Sequence, residues 1–442
     1  MDFDSVDSIR EAGFEGFQTL PESWAAKLKQ VPEAPGVYVV FRESLEPPSF
    51  LRKSRAGPYK GQDPTVPVEE LKRHWVPGAR VLYIGKAGGT GIQRGLHSRL
   101  REYARGGFAE RSSRRLSCRS LGGNTRIRIS LNRGPAMNDL PTIDPALGAH
   151  EGMIDFRGYR VWYAIVGEEQ VAGKLPLLCL HGGPGAAHDY LESLAEIAKA
   201  GRRVIFYDQL GCGNSDQPDN PSLWTVPLFR EEVGVVRRAL GLDRFHLLGQ
   251  SWGGMLAMEY ALTQPSGVAS LTIASSPASM IQWVAEANRL RRNLPADVQT
   301  TLEHHEAAGT TDSSEYQSAM MVFYRRHVIR VDPMPEFVAR SFAKLERNPQ
   351  VYRTMNGPSE FFVVGTLKDW DIVARLSEIG TPTLVTSGRH DEATPLIAET
   401  VHRGIRGSQW VVFENSSHMA HAEEPDRYMT VLDEFLCYHE PS

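Results

Sequence analysis

The chain has 442 residues, 41% of them apolar and 23% charged, and its 49 Lys+Arg against 53 Asp+Glu give a net charge of −4. Forty Gly and 28 Pro are ordinary for this length, which excludes collagen-like and globally disordered chains, and no apolar run approaches the ~18 residues of a membrane span. The small net charge hides a split: residues 1–140 carry 23 Lys+Arg and 15 Asp+Glu, a net of +8, and residues 141–442 carry 26 and 38, a net of −12. Such asymmetry predicts separate modules. Cys118, Cys179, Cys212 and Cys437 are dispersed without a C-x-x-C pair, and the acidic start MDFDSVDSIRE lacks the basic-then-apolar pattern of a secretory signal. Both features predict a reduced, cytoplasmic protein rather than a disulfide scaffold or a zinc site.

In the basic part, Gly36-Val37-Tyr38-Val39-Val40 and Val81-Leu82-Tyr83-Ile84-Gly85-Lys86 read as strands, and GLHSRLREYARGG (95–107) reads as a basic amphipathic helix. A GVY strand, a YIG strand and an Arg-bearing helix resemble GIY-YIG nuclease domains. The resemblance implies that Tyr38, Tyr83 and Arg99 stand where that family keeps its catalytic tyrosines and arginine. Two departures matter. The tyrosine motifs are 44 residues apart, and no acidic residue occurs from Arg111 to Asn138, where the family's metal-binding glutamate should fall. Without that carboxylate Mg²⁺ has no site. Residues 1–110 are therefore expected to be a truncated GIY-YIG-like domain, an inactive remnant, with weak nucleic-acid binding and a plain mixed α/β fragment as the other readings. The stretch Arg111–Asn138 holds seven Arg and five Ser and shows no trusted periodicity, so residues 111–145 are expected to be a basic linker. A nucleic-acid-binding arm is its rival, disfavoured because the stretch has no aromatic residue to stack on bases.

From Met153 onward the punctuation is regular. FRGYRVWYAIVG (156–167) alternates like an exposed strand; PLLCL (176–180) ends in HGGPG, RVIFYD (203–208) in QLGCGNSD, and FHLLG (245–249) leads into QSWGG and the helical pattern MLAMEYAL. VASLTIASS, TPTLVTSG and QWVVFENSS follow. Short apolar runs closed by Gly-rich turns and alternating with helix-length segments predict an α/β architecture, a mostly parallel sheet covered on both faces. Sites in such sheets form at the carboxyl ends of strands, which is where the unusual clusters of this half lie.

Gly249-Gln250-Ser251-Trp252-Gly253 is the strongest of them. G-x-S-x-G between a strand and a helix is a nucleophile elbow, a tight turn that exposes a serine Oγ. A serine nucleophile needs a base, and the base needs an orienting carboxylate, expected in the chain order Ser, Asp or Glu, His. Asp391 lies in the turn after TPTLVTSG, flanked by His390 and Glu392, and His418 lies just past QWVVFENSS, with His421 one helical turn further. His418 is preferred to His421 on its position relative to the strand. The HGGPG turn supplies a backbone N–H for an acyl-transfer oxyanion, assigned to Gly183, and the amide after the nucleophile, that of Trp252, supplies the second. His181 is expected to brace that loop rather than act as a base.

HGGPG, DQxGxGxSD (208–216), GQSWGG and SSHMxHxEEP together resemble the proline iminopeptidases and tricorn-interacting aminopeptidases, α/β-hydrolases of the prolyl aminopeptidase family, over about Ile154 to Leu436. The resemblance implies a triad of Ser251, Asp391 and His418 with Gly183 and Trp252 at the oxyanion hole, in an α/β-hydrolase domain over 146–442. Between VASLTIASSP and TPTLVTSG lie about a hundred residues of helical character with many charges, expected to form an inserted helical lid over about 278–372. Similar family members hold the substrate's ammonium with lid glutamates, one in a segment like Gly357-Pro358-Ser359-Glu360-Phe361, which makes Glu360 the residue expected to do so; a second acidic residue is not placed. The expected activity is a serine aminopeptidase acting on short peptides with a free N-terminus, proline among the residues released. An esterase or amidase with the same triad and a nucleic-acid-binding N-terminal module are the alternatives. No metal or organic cofactor is expected, and neither a membrane nor a nucleic acid is the expected partner.

Overall fold

The computed structural model describes residues 142–167 and 171–441 in full and, before them, the backbone of four strands. The chain forms two compact units, Met1–Leu140 and Pro141–Ser442. In the first, β1 (Glu15–Thr19), β2 (Gly36–Arg42), β3 (Val81–Ala87) and β4 (Ile127–Asn132) make an antiparallel sheet in the order β1-β4-β2-β3. The two strands expected from the tyrosine motifs are neighbours, with Tyr38 opposite Gly85 and Tyr83 opposite Val40. Arg99 and the helix expected over 95–107 lie outside the described residues.

Two parts of 111–145, expected to be a basic linker, belong instead to the folded units. Ile127, Ile129 and Leu131 alternate with Arg128, Ser130 and Asn132, a strand period that the Arg- and Ser-rich surroundings mask, and these residues pair with both β1 and β2. Residues 141–145 belong to the second unit: Ile143 is buried in its core, and the Asp144 amide donates to Glu192 Oε1 at 3.3 Å.

The second unit is built on an eight-stranded sheet of β5 (His150–Phe156), β6 (Tyr159–Val166), β7 (Leu177–Leu180), β8 (Val204–Tyr207), β9 (Phe245–Gln250), β10 (Val268–Ala274), β11 (Thr383–Gly388) and β12 (Gln409–Phe413). Their order is β12-β11-β10-β9-β7-β8-β6-β5, parallel from β12 to β8 and antiparallel at the β6 and β5 edge. β7, β8, β9 and β11 are buried at every position because helices cover both faces; β7 and β8 read as unbroken apolar runs, while β9 and β11 also bury His246, Gln250, Thr383, Thr386 and Ser387. The segment read as an exposed strand behaves differently. β6 is paired on both sides, by β5 and β8, and Val161, Trp162, Ala164 and Val166 are buried. Its partner β5 joins it through Arg157 and Gly158, both at positive φ as a two-residue type I′ hairpin loop requires.

The crossovers are helical. α1 (Val226–Ala239) joins β8 to β9 and buries Leu228, Phe229, Val233 and Val236, with Thr225 Oγ1 accepting from the Leu228 amide at its start. α2 (Trp252–Ala261) joins β9 to β10 and is buried at every residue, as expected for a helix apolar all round. Between β10 and β11 come α3 (Met280–Arg291), α4 (Ala296–Ala308), α5 (Ser314–His327), α6 (Glu336–Arg347) and α7 (Gln350–Met355), the stretch expected to insert as helices. α8 (Pro395–Gly404) links β11 to β12, and α9 (Ala420–Glu423) and α10 (Pro425–Tyr438) close the unit. The core is large, and each fully buried Leu, such as Leu178, Leu247 and Leu256, is worth about 1.5–3 kcal/mol over its exposed state.

Candidate active site

Every functional side chain read from the sequence of the second unit stands just past the carboxyl end of a strand or in the segment between β10 and β11. Ser251 occupies the turn between β9 and α2 at φ 57° and ψ −126°, a left-handed conformation that costs a non-glycine residue of order 1–3 kcal/mol. The turn holds it there. The Ser251 amide donates to the Ala274 carbonyl at 2.9 Å, and its own carbonyl accepts from the Gly254 amide at 2.9 Å. The flanking glycines follow from crowding: a Cβ on Gly249 would lie 2.1 Å from the Gly253 carbonyl oxygen, and one on Gly253 would lie 2.1 Å from that of Leu180.

His418 sits beyond β12, and its Nδ1 donates to Asp391 Oδ1 at 2.8 Å. That bond fixes the tautomer and leaves Nε2 as the basic nitrogen. Asp391 is buried and also accepts from the amides of Ala393 at 2.8 Å and Gly388 at 3.3 Å, so its orientation is set by the turn after β11. Ser251 and His418 line one cavity together with Gly183, Glu360 and Glu392. His390 is exposed, and His421 turns away to bond Ser193 Oγ through Nδ1 at 3.0 Å.

Gly183 lies in the loop after β7, braced from behind. The Gln209 amide donates to His181 Nε2 at 2.9 Å, so His181 Nδ1 carries the proton and donates to the Gly182 carbonyl at 3.0 Å. Burial lowers the His181 pKa, with Asp208 opposing it, and holds the ring neutral in this brace. Gln209 also ties the loop to the elbow: its Nε2 donates to the His181 carbonyl and its Oε1 accepts from Trp252 Nε1 at 2.8 Å. Trp252 opens α2, so its amide is one of the first-turn N–H groups that have no acceptor within the helix.

Glu360 reaches the cavity from the turn after α7. The Trp283 indole donates to its carbonyl at 2.7 Å, its amide donates to Tyr324 Oη at 3.4 Å, and the Tyr352 hydroxyl donates to its carboxylate at 2.8 Å. Burial pushes the Glu360 carboxyl up to about 6 against the pull of Tyr352 and His418. A second acidic side chain that lines the same cavity is Glu392. It is buried beside Asp391, its Oε1 is 3.7 Å from His418 Nε2, and neither oxygen has a hydrogen-bond partner. Burial, then the charges of Glu360 and Asp391, push its carboxyl well above the usual range. Its position next to Asp391 was the available signal. Tyr324, Val328, Val338, Phe342, Leu345 and Met419 give most of the remaining wall, and Tyr190, Gln250 and Ser341 reach it as well.

A serine in a strained strand-to-helix turn, a carboxylate-oriented histidine and a glycine loop at the ends of parallel strands define an α/β hydrolase, and residues 176–425 match the family described as alpha/beta hydrolase fold. The proline iminopeptidase of Saccharolobus solfataricus is 40% identical over 293 residues, 66% of this chain and 93% of that one. The proline iminopeptidase of Heyndrickxia coagulans is 44% identical over 286 residues, 65% of this chain and 98% of that one. The crystal structure of proline iminopeptidase from Mycobacterium smegmatis is similar at a TM-score of 0.62 and 46% identity, covering 66% of this chain and 98% of that one. The chain belongs to the proline iminopeptidase family, as an aminopeptidase of the α/β-hydrolase fold.

Proposed function

We propose that this chain releases the N-terminal residue, proline among those accepted, from short peptides with a free N-terminus, through an acyl-enzyme on Ser251. The observation that carries the reading is the pair of carboxylates, Glu360 and Glu392, in the cavity that Ser251 and His418 line. An apolar cavity with two such groups suits an ammonium attached to a small apolar side chain. In this mechanism Ser251 Oγ attacks the first peptide carbonyl while His418 Nε2 takes its proton, and Asp391 stabilises the imidazolium. The amides of Gly183 and Trp252 receive the oxyanion. His418 then returns the proton to the leaving amine, and the peptide shortened by one residue departs. A water deprotonated by His418 cleaves the ester, freeing the amino acid and restoring the Ser251 hydroxyl. Glu360 and Glu392 hold the ammonium, and because Glu392 stands beside His418 the ammonium is held close to the attacked carbonyl, which limits the cut to one residue.

The helices α3 to α7 act as the lid in this reading, since Glu360 and the apolar residues Val338, Phe342 and Leu345 all come from them or the turns that join them. The dispersed cysteines support a cytoplasmic setting. The first unit is read as a truncated GIY-YIG-like fragment without chemistry of its own, on its sequence motifs.

Aminoacyl p-nitroanilides, free and N-acetylated, test the function. Free prolyl, alanyl or leucyl amides should be cleaved and their N-acetyl forms spared, and Ser251→Ala should lower kcat by about 10⁴–10⁶-fold. Brisk hydrolysis of simple esters with no cleavage of any free aminoacyl amide would instead make the protein an esterase.

A further inference from the structure

Three loops must keep register for this site to work: the glycine loop after β7, the elbow after β9 and the His418 loop after β12. One chain of hydrogen bonds joins all three. The Gly182 amide donates to the Tyr190 hydroxyl at 2.6 Å, the Tyr190 hydroxyl donates to Gln250 Oε1 at 2.6 Å, and Gln250 Nε2 donates to the His418 carbonyl at 3.0 Å. The residues it grips are the immediate neighbours of the reacting groups. Gly182 precedes Gly183, Gln250 precedes Ser251, and His418 is the base itself.

We propose that Tyr190 and Gln250 are positioning residues, which lock the oxyanion loop and the base to the nucleophile through this relay; the proposal rests on the roles assigned above to Gly183, Ser251 and His418. Tyr190 and Gln250 are 3% and 2% exposed, so water does not compete for these bonds. The Tyr190 hydroxyl has a single proton, and with the Gly182 amide on its oxygen that proton goes to Gln250 Oε1. This fixes the Gln250 amide with its NH₂ toward His418. All three donors then point the same way along the chain, an arrangement in which each bond polarises the next. Burial pushes the Tyr190 phenol far above its ordinary value, so it keeps its proton throughout the working pH range. The relay thus holds geometry and takes no part in proton transfer.

The test uses the full chain with Tyr190→Phe, Gln250→Met and the double variant, assayed on p-nitrophenyl acetate and on alanyl p-nitroanilide, with kcat expressed per active site titrated by a fluorophosphonate. Each single variant should lower kcat per site by about 10–100-fold on both substrates while KM stays within about twofold, because a shift of an ångström in aligned groups costs on that scale. The double variant should be no worse than the weaker single by more than about threefold, since both changes break one chain. Unaltered kcat per titrated site, or multiplicative losses in the double variant, would overturn the relay. Should Tyr190→Phe fail to fold, Gln250→Met, which leaves the Gly182–Tyr190 bond in place, decides the question by the same kcat criterion. A wild type that cleaves the ester and no amide would sink the aminopeptidase reading and leave this test intact.

Discussion

Glu360 and Glu392 show how little of a residue's chemistry lies in its type. Each is an ordinary acid by sequence, yet burial raises both carboxyls, and the mutual repulsion of two adjacent anions raises Glu392 further. Glu360, pushed up to about 6, is ionised above that pH and protonated below it. Affinity for a substrate ammonium should therefore weaken as pH falls through about 6, seen as a rising KM for free aminoacyl amides but not for N-acetyl esters. A KM independent of pH between 5 and 8 would remove Glu360 from amine binding. Glu360→Gln should raise KM for free aminoacyl amides by about 10–100-fold, the worth of a charge-assisted hydrogen bond, and change ester turnover by less than about threefold. Ser251, Asp391 and His418 were legible in the sequence because each follows a recognisable strand within a few residues. His421 could not be set aside on spacing alone. Its ring is packed between Tyr190 and Tyr428, and burial lowers its pKa to about 3, so it stays neutral and apart from the cavity. The Tyr190–Gln250 relay was not legible, since its partners are 60 and 168 residues apart and only the fold brings them together.

At the scale of elements, α6 has two working faces. Val338, Ser341, Phe342 and Leu345 line the cavity, while Arg340 and Lys344 reach Asp189 Oδ1 at 3.1 and 2.9 Å. Arg340 also pairs with Glu192, and His188 bonds Asp208 at 2.8 Å and approaches Glu192 at 3.6 Å. His188, Asp189 and Glu192 are close enough to suggest a metal site, but Arg340 and Lys344 already supply the compensating positive charge. Arg340→Met should cost about 3–5 kcal/mol in urea unfolding, because it strands buried carboxylates. Burial alone would lower the His188 pKa, but Asp208, Glu192 and Asp189 together outweigh it and lift it to about 9, above the unfolded value near 6.5. Its contribution to stability is thus complete below about pH 6.5 and lost as pH rises through about 9. Glu232, raised to about 8 by burial, acts in the same direction: its stabilising share is complete below about 4.5 and lost as pH rises through about 8. The Tm should therefore fall between pH 6 and 9.5, and Glu232→Gln, which still accepts from the Leu210 amide, should flatten that slope. A Tm equal at both ends would contradict both assignments. The buried parallel strands were legible as apolar runs; β4 was not, because six alternating residues sit among Arg and Ser, and β5 was not, because His150, Glu151, Gly152 and Asp155 dilute its apolar positions.

For the whole molecule, the change of charge sign read from the sequence falls at the boundary between the compact units, after Leu140. Every residue assigned to the chemistry lies in Pro141–Ser442, and among the described residues no helix is long and apolar enough to cross a membrane. Deleting residues 1–140 should accordingly leave kcat per titrated site and KM within about twofold of the full chain. A tenfold loss in either would show that the first unit contributes to the site. What the sequence could not convey at this scale is that Glu392, from the turn after β11, shares a cavity with Glu360, since that depends on how the run carrying Glu360 settles on the sheet.

The site draws on two kinds of chain, strand ends and one long helical run, stitched together at His327. Ser251, His418, the Gly183 loop and Glu392 are fastened to strand ends, whereas Glu360, Phe342 and Leu345 arise from one continuous run between Ala274 and Thr383. An exchange of that run can give a descendant a new diet only if it keeps the His327 carbonyl, which accepts from the amides of both Glu392 and His418 at 3.2 Å. On the role proposed for it, Glu392 would remain in such a descendant as a fossil, an acid 3.7 Å from the histidine of an enzyme that no longer meets an amine.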